Sequence, residues 1–446
     1  MRITNRSLWI YYFLVFSLYL ISCVDEQRNH EINLELQDKI TDKAALDSVL
    51  ESYVSEGFYP FLYARLEDKE GRLLYEHSVK NDTLIPDLEI DEDSWIRIWS
   101  MSKIVTISLA LDLVERGIMT LNDPVTKFIP EFNSLKVAQS NTGEELIAIP
   151  WEAEHSVHCP VNFVEPDSEM TVLHLINHQA GFYYATTGFS CIDSLVASQE
   201  LPSARNSEEL IDKLSQLPLI QHPGTGYFYG TNTTVLGLVA ERATGTSLKE
   251  LIETHITGPL NITGLQYGLP EQASLPPRIS GKDSLLRPAQ PGELDIFGPK
   301  VPDYELDHPL YLGGEGMVAT AKGYAKFIRM LLNRGELNGY RLLEPETVSD
   351  MHAPHTLLDN PYGYNGYNLW VSGDTLREQG VGEAGLWIGG GYEGTHFWVD
   401  PKREFVGVIM TQMSFIPPGK APRDDAFRRA LYQQFWKAEG AYSLGN

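Results

Sequence analysis

"WSMSKIVT", residues 99–106, sets a serine and a lysine three positions apart at the head of an apolar run. The run continues through Ile104, Ile107, Leu111 and Val114, and Gly117 stands where it should stop, so the pattern predicts a helix. Residues three apart on a helix are neighbours, which puts Ser100 and Lys103 on one face and turns Ser102 elsewhere. The pair reads either as a nucleophile with an amine beside it or as an ordinary helix start. The chain holds 29 serines and 16 lysines, so about one Ser-x-x-Lys is expected by chance and the spacing alone does not choose. What decides is whether the rest of the chain supplies the other parts such a pair needs.

The bulk composition allows a large core. The chain has 446 residues, 43% hydrophobic and 21% charged, which is ordinary for a folded protein. Residues 1–22 differ: Arg2 and Arg6 precede an uncharged run from Leu8 to Ile21 that ends in Leu20-Ile21-Ser22-Cys23. A basic start and a short apolar stretch are the marks of an export signal, and the stretch is too short for a comfortable membrane span. The ending resembles a bacterial lipoprotein signal, which implies cleavage before Cys23, a lipid on Cys23 and a place on the periplasmic or cell-surface side of a membrane; a plain signal peptide or an N-terminal anchor is the alternative. Residues 23–44 are then a polar, acidic tether.

Without residues 1–22 the formal charge is 33 − 60 = −27. So acidic a surface repels nucleic acid and anionic lipid, and neither is an expected partner. Of the three cysteines, Cys159 and Cys191 remain, and a disulfide or two buried thiols fit them equally. No metal-ligand spacing connects the cysteines and the twelve histidines, so chemistry without metal or cofactor is the first expectation.

The remaining pattern is mixed. Leu46, Val49, Leu50, Tyr53 and Val54 recur at helical spacing, and Phe61–Leu66 and Arg72–Tyr75 flank the turn Asp68-Lys69-Glu70-Gly71 as a β-hairpin would. The middle, rich in loops, Pro and Gly, carries helical patterns at 171–178, 207–216 and 233–244. A helix from 318 through Leu332 follows, then strands at 366–371, 395–400 and 405–411, the last two joined by a turn at Asp400–Glu404. A final amphipathic helix spans 424–437. The expectation is an α+β fold: an antiparallel sheet built from both ends of a domain at 45–440, flanked by helices, with a mostly helical insert at about 118–305.

Several segments together resemble one family, the serine β-lactamase-like hydrolases: penicillin-binding proteins, class C β-lactamases, and the esterases and acyltransferases related to them. The segments are "SMSK", "GIMTLNDPVTKFIPEF" at 117–132, "TVLHLINHQAGF" at 171–182 and "PGTGYFYGTNTTVLGLVAERATG" at 223–245. After them come "GGEGMVATAKGYAKFIRMLLNRGELNG" at 313–339 and "GGGYEGTHFWVDP" at 389–401. The likeness runs from about 45 to 437 and implies a β-lactamase/transpeptidase-like fold.

The resemblance assigns roles residue by residue. Ser100 is the nucleophile and Lys103 its neighbour. Tyr229 takes the place of the tyrosine in the family's Tyr-x-Asn motif, with Thr231 where asparagine is usual; Tyr227 and Asn232 are the alternatives nearby. The family's Lys-Thr-Gly triplet reads Gly389-Gly390-Gly391, without cation or hydroxyl. A lysine there would pair with the carboxylate of a penicillin or a peptide C-terminus, so its loss points to the esterase-like branch. The backbone N–H groups of Ser100 and Tyr392 would form the oxyanion hole, and Gly389–Gly391 and Thr231 would line the substrate cleft. His178 falls in a structural turn, His396 packs or faces solvent on the last hairpin, and Asp123 shapes the "LNDP" turn.

A serine hydroxyl needs a nearby base at neutral pH, and lysine can be that base only where burial or another cation keeps it partly neutral. Tyr229 could instead carry the proton to the leaving group. The chain thus reads as a serine hydrolase acting through an acyl-Ser100 on small esters or amides. A D-Ala-D-Ala carboxypeptidase, D-aminopeptidase or β-lactamase is the alternative enzyme, and a non-catalytic penicillin-binding-like sensor or binding protein the alternative outside enzymes. Oligomeric state has no signature in the sequence.

Overall fold

The sheet grows from both ends of the domain. The computed structural model describes residues 36–148, 161–282, 285–293, 296–297, 300, 302, 304, 308–356, 362–414 and 422–440. The first hairpin is longer than its alternation indicated: β1 is Phe61–Asp68 and β2 is Leu73–Lys80. Five strands return near the C-terminus: β3 (Gly363–Asn365), β4 (Trp370–Ser372), β5 (Trp387–Gly390), β6 (His396–Asp400) and β7 (Phe405–Met410). They join in the order β3-β4-β5-β6-β7-β1-β2, with every neighbour antiparallel.

Both faces of the central strands are covered, which is why β1 and β7 are buried at every position. Side chains alternate between two cores. Leu62, Ala64 and Leu66 of β1, Trp398 of β6, and Phe405 and Ile409 of β7 point to one side. There they meet helix α1 (Lys43–Ser55), through Leu46, Leu50, Tyr53 and Val54, and the last helix, α5 (Arg423–Ala438), through Phe427, Leu431, Tyr432, Phe435 and Trp436. Asp42 starts α1 by accepting from the Ala45 amide at 3.0 Å. Phe61, Tyr63, Phe397, Val399, Val406 and Val408 point to the other side, towards α4 (Ala321–Leu332) and the larger core.

Beyond α4 lies the helical region. Its centre is α2 (Ser102–Glu115), packed on α3 (Asn232–Thr244). The sequence indicated one apolar face for α2, but every residue from Ser102 to Leu113 is buried, so the helix runs through the interior. Two of its hydroxyls are paired accordingly: Ser102 Oγ accepts from the Met317 amide at 3.2 Å and Thr106 Oγ1 donates to the Gly313 carbonyl at 2.7 Å. Helices at Val172–Ile176 and Ser207–Leu214 match the expected segments, and Ser190–Gln199 forms a further helix. Cys191 in that helix is disulfide-bonded. Cys23 and Cys159 lie outside the described residues, as do residues 1–22, where the sequence suggested an export signal. Among the described residues no helix is long and apolar enough to cross a membrane.

Candidate active site

Ser100 does not sit inside α2. It occupies the single 3-10 turn Trp99–Met101 that leads into the helix, and Trp99 takes a left-handed φ of 45° to make the corner. A bulky non-glycine residue in that region is strained and needs its surroundings to hold it. Trp99 is fully buried, and its indole Nε1 donates to Glu393 Oε2 at 2.7 Å. The turn leaves the Ser100 amide at the start of a helical segment, where backbone N–H groups have no carbonyl of their own helix to bond.

One turn on, Lys103 is wholly buried with Nζ 3.2 Å from Ser100 Oγ. The same ammonium reaches the Tyr184 hydroxyl at 2.8 Å, the Gly314 carbonyl at 3.0 Å and Glu315 Oε1 at 3.1 Å. Glu315 is as buried as the lysine. Its Oε1 also accepts from the Tyr184 hydroxyl, and its Oε2 accepts from Thr234 Oγ1 at 2.6 Å. Burial alone would push Lys103 below the ordinary lysine range, but its attraction to Tyr229 and Glu315 outweighs that and holds it above. Burial here therefore does not make Lys103 a partly neutral amine.

Tyr229 is the exposed member of the group, with its ring centroid 4.9 Å from Lys103 Nζ. The alternatives are otherwise engaged. Tyr227 packs edge-on against His178 with its hydroxyl tied to Asn365, and Asn232 is fully buried with Nδ2 on His178 Nδ1 at 3.2 Å and the Phe182 carbonyl at 3.1 Å. His178 is the plate beneath Tyr229: the rings stack with centroids 4.7 Å apart and planes 23° apart. Its Nδ1 accepts from the Gly230 amide at 3.3 Å, and its Nε2 lies 3.1 Å from Asn368 Oδ1, so the ring carries its proton on Nε2. Burial, with the Lys103 charge nearby, lowers its pKa to about 3, and the imidazole is neutral.

Thr231 departs from its expected place in the cleft. It is 2% exposed, its hydroxyl faces the Tyr183 carbonyl, and it precedes α3 as the N-cap residue. The glycine triplet lies on the strand that packs against the Ser100 turn. Strand β4 pairs with β5 only as far as Ile388, so Gly389 and Gly390 are paired through β6 alone. A Cβ on Gly391 would stand 2.4 Å from the Ile98 carbonyl, and one on Gly389 2.5 Å from the Phe397 ring. The triplet is glycine because the backbone of the Ser100 segment and a core ring occupy the space. Tyr392 follows directly, its ring edge-on to Trp99 at 5.3 Å.

The sequence reading missed Tyr184, Glu315 and Glu393. Tyr184 carried no signal, and the one legible signal of the two glutamates was a lone acid in each of two Gly-rich segments, 313–321 and 389–399. Asp123 closes its turn as expected, accepting from the Thr120 amide and Lys127 Nζ at 2.9 Å each. His396 packs against Arg428, whose Nη1 donates to its Nε2 at 2.7 Å. A groove of about 760 Å³ between Leu332 and Trp387 contains none of these residues, so the chemistry and not the volume locates the site.

A family profile for beta-lactamase matches residues 69–432. The chain belongs to the beta-lactamase family. Among curated relatives, the lovastatin esterase of Penicillium rubens is 25% identical over 430 residues, covering 88% of this chain and 100% of that one. The acyltransferase mokF of Monascus pilosus is 27% identical over 316 residues, covering 69% of this chain and 70% of its own. Among solved structures, EstCE1, described as a hydrolase with promiscuous acyltransferase activity, superposes with a TM-score of 0.69 at 20% identity, covering 89% of this chain and 99% of that one. That likeness establishes the family's fold here, with Ser100 at the head of the buried helix between the sheet and the helical region.

Proposed function

We propose that the protein is a serine hydrolase that forms an acyl-enzyme on Ser100 from small esters or amides, in the esterase-like branch of the family. The observation that carries this is the approach of Lys103 Nζ to Ser100 Oγ, 3.2 Å, from a buried position with every other contact of the ammonium satisfied by the protein. In the reaction, Ser100 Oγ bonds to the substrate carbonyl carbon while its proton passes to the Lys103–Tyr229 group. The carbonyl oxygen gains charge facing the amides of Ser100 and Tyr392, where one donor is worth about 3 kcal/mol. The alcohol or amine leaves with a proton, and water releases the acyl group.

Two facts support the esterase branch. No side chain at 389–391 can offer a cation to a substrate carboxylate, and the lovastatin esterase aligns along its whole length. Release to an alcohol acceptor is the second reading, favoured by the alignment with mokF. Residues 1–23 support export and a lipid anchor at Cys23, a reading that rests on sequence alone.

Intact-protein mass measurement tests the proposal. The purified domain is exposed to a fluorophosphonate and, separately, to a penicillin, with Ser100→Ala as control. A single fluorophosphonate adduct that the variant lacks is the expected result. Rapid, lasting acylation by penicillin would move the assignment to the peptidase side. A folded protein that takes neither probe would instead be a binding protein built on the same cleft.

A further inference from the structure

The Ser-Lys-Tyr arrangement leaves one buried carboxylate unexplained. Glu315 pairs with Lys103 at 3.1 Å, with neither side chain exposed to solvent. Both of its oxygens are engaged by buried partners: Oε1 by Tyr184 and Lys103, Oε2 by Thr234. Thr234 Oγ1 in turn accepts from the Gly314 amide at 3.1 Å, so the acid and its neighbours form a closed network across α2, α3 and the 313–316 segment. A buried ion pair is a weak source of stability, because desolvating two charges offsets their attraction. Its retention at this site asks for another role.

We propose that Glu315, held by Tyr184 and Thr234, is a positioning residue that keeps Lys103 an ammonium ion beside Ser100. This rests on the acyl-serine reading above and makes Lys103 a hydrogen-bond donor to Ser100 and not its base. Lys103 keeps its three N–H bonds throughout, donating to the oxygens around it. Without Glu315 the desolvation of Lys103 is opposed only by Tyr229 and the uncharged oxygens of Tyr184 and Gly314, and the native lysine gives up its proton.

Linkage provides a test that does not depend on activity. If Lys103 is neutral in folded Glu315→Gln but charged when the chain unfolds, the unfolded state binds one more proton at every pH below the free lysine value of about 10.4. The unfolding equilibrium constant of Glu315→Gln, divided by that of the wild type, then falls about tenfold per pH unit between about pH 7 and 9.5. The other groups facing the pair do not titrate there. Tyr184 and Tyr267 are held well above the ordinary phenol value by burial, Tyr304 is raised likewise, and His178 is neutral throughout. Tyr229 is removed from consideration by repeating the comparison in a Tyr229→Phe background.

Urea unfolding at several pH values reads the ratio. An extra proton in Glu315→Gln, in both backgrounds, with wild-type behaviour in Glu315→Asp, supports the proposal. Parallel pH dependence of wild type and Glu315→Gln overturns it, since Lys103 would then hold its proton unaided. Should Glu315→Gln fail to fold, Glu315→Gln/Lys103→Met removes both charges, and recovery of a cooperative transition is the expected result; no recovery overturns the counter-ion role. Fluorophosphonate labelling of the wild type separates the two readings: an unlabelled wild type sinks the acyl-serine assignment, while the linkage result still reports the state of Lys103.

Discussion

Trp99 Nε1 donates to Glu393 Oε2 across 2.7 Å, and this bond ties the residue before Ser100 to the residue after Tyr392. The two segments that bear the proposed oxyanion amides are thus fastened to each other from behind. Gln412 Nε2 secures the same carboxylate oxygen at 2.6 Å, while its Oε1 accepts from the Arg97 amide at 3.0 Å. The strained φ of Trp99 is held within this frame.

Trp99→Phe keeps an aromatic ring but removes the donor. Leaving a buried carboxylate short of one hydrogen bond costs about 1–3 kcal/mol of stability. The catalytic effect is a fall of about tenfold or more in kcat with KM little changed, because the amides meet charge that develops only in the transition state. Steady-state kinetics on an activated ester, with urea unfolding alongside, checks both. A raised KM at constant kcat would place Trp99 in substrate binding instead.

His178 supports Tyr229 without reaching the substrate. His178→Ala removes the stacked ring and the acceptor for the Gly230 amide, so Tyr229 loses the surface that orients it. The expected result is a stability loss of about 2–4 kcal/mol, in the range of buried large-to-small changes, and a kcat decrease with fluorophosphonate labelling slowed in parallel. Asn368→Ala frees the other ring nitrogen and acts in the same direction with a smaller amplitude. Unchanged labelling in both variants would show that Tyr229 keeps its place without the plate.

Acid lability follows from the same histidine. His178 and His396 both have pKa values lowered to about 3, chiefly by burial, against about 6.5 in an unfolded chain. The unfolded state therefore binds more protons below pH 6.5, and stability falls as the pH drops from 6.5 towards 3. Two full protons would give a slope of about 2.7 kcal/mol per pH unit. His396, with 13% of its side chain exposed, contributes the smaller share. Urea midpoints between pH 7 and 5 measure this before most carboxylates titrate, and His178→Gln removes about one proton from the slope.

The sequence showed most of the frame and half of the site, for physical reasons. Alternation and helical periodicity are local, so α1, the β1–β2 hairpin, β6, β7 and α5 were legible within a few residues. Ser100, Lys103 and Tyr229 were legible because short motifs bear them. Glu315 was not, since its meaning depends on being enclosed by Tyr184, Thr234 and Lys103, as far as 212 residues away in the chain. Nor was the interior course of α2: a helix with serine, threonine and lysine among its apolar residues looks amphipathic until their partners are known. The inward turn of Thr231 escaped for the same reason.

The glycine triplet gives the last prediction. If its lack of a cation were the only barrier to recognising a carboxylate, Gly389→Lys would confer penicillin acylation. The structure denies this, because the new Cβ would lie 2.5 Å from Cε1 of Phe397, the cross-strand partner of Gly389, whose ring is 1% exposed in the core. Overpacking of this kind costs about 1–3 kcal/mol. Gly389→Lys alone is expected to lose that stability and gain no penicillin adduct. Gly389→Lys/Phe397→Leu makes room for the stem and recovers part of the stability, and only this double variant is expected to show penicillin acylation above the wild-type level. Denaturant midpoints and intact mass after penicillin exposure report both effects. Penicillin acylation of the single variant at undiminished stability would show that the strand accepts a side chain without displacing Phe397.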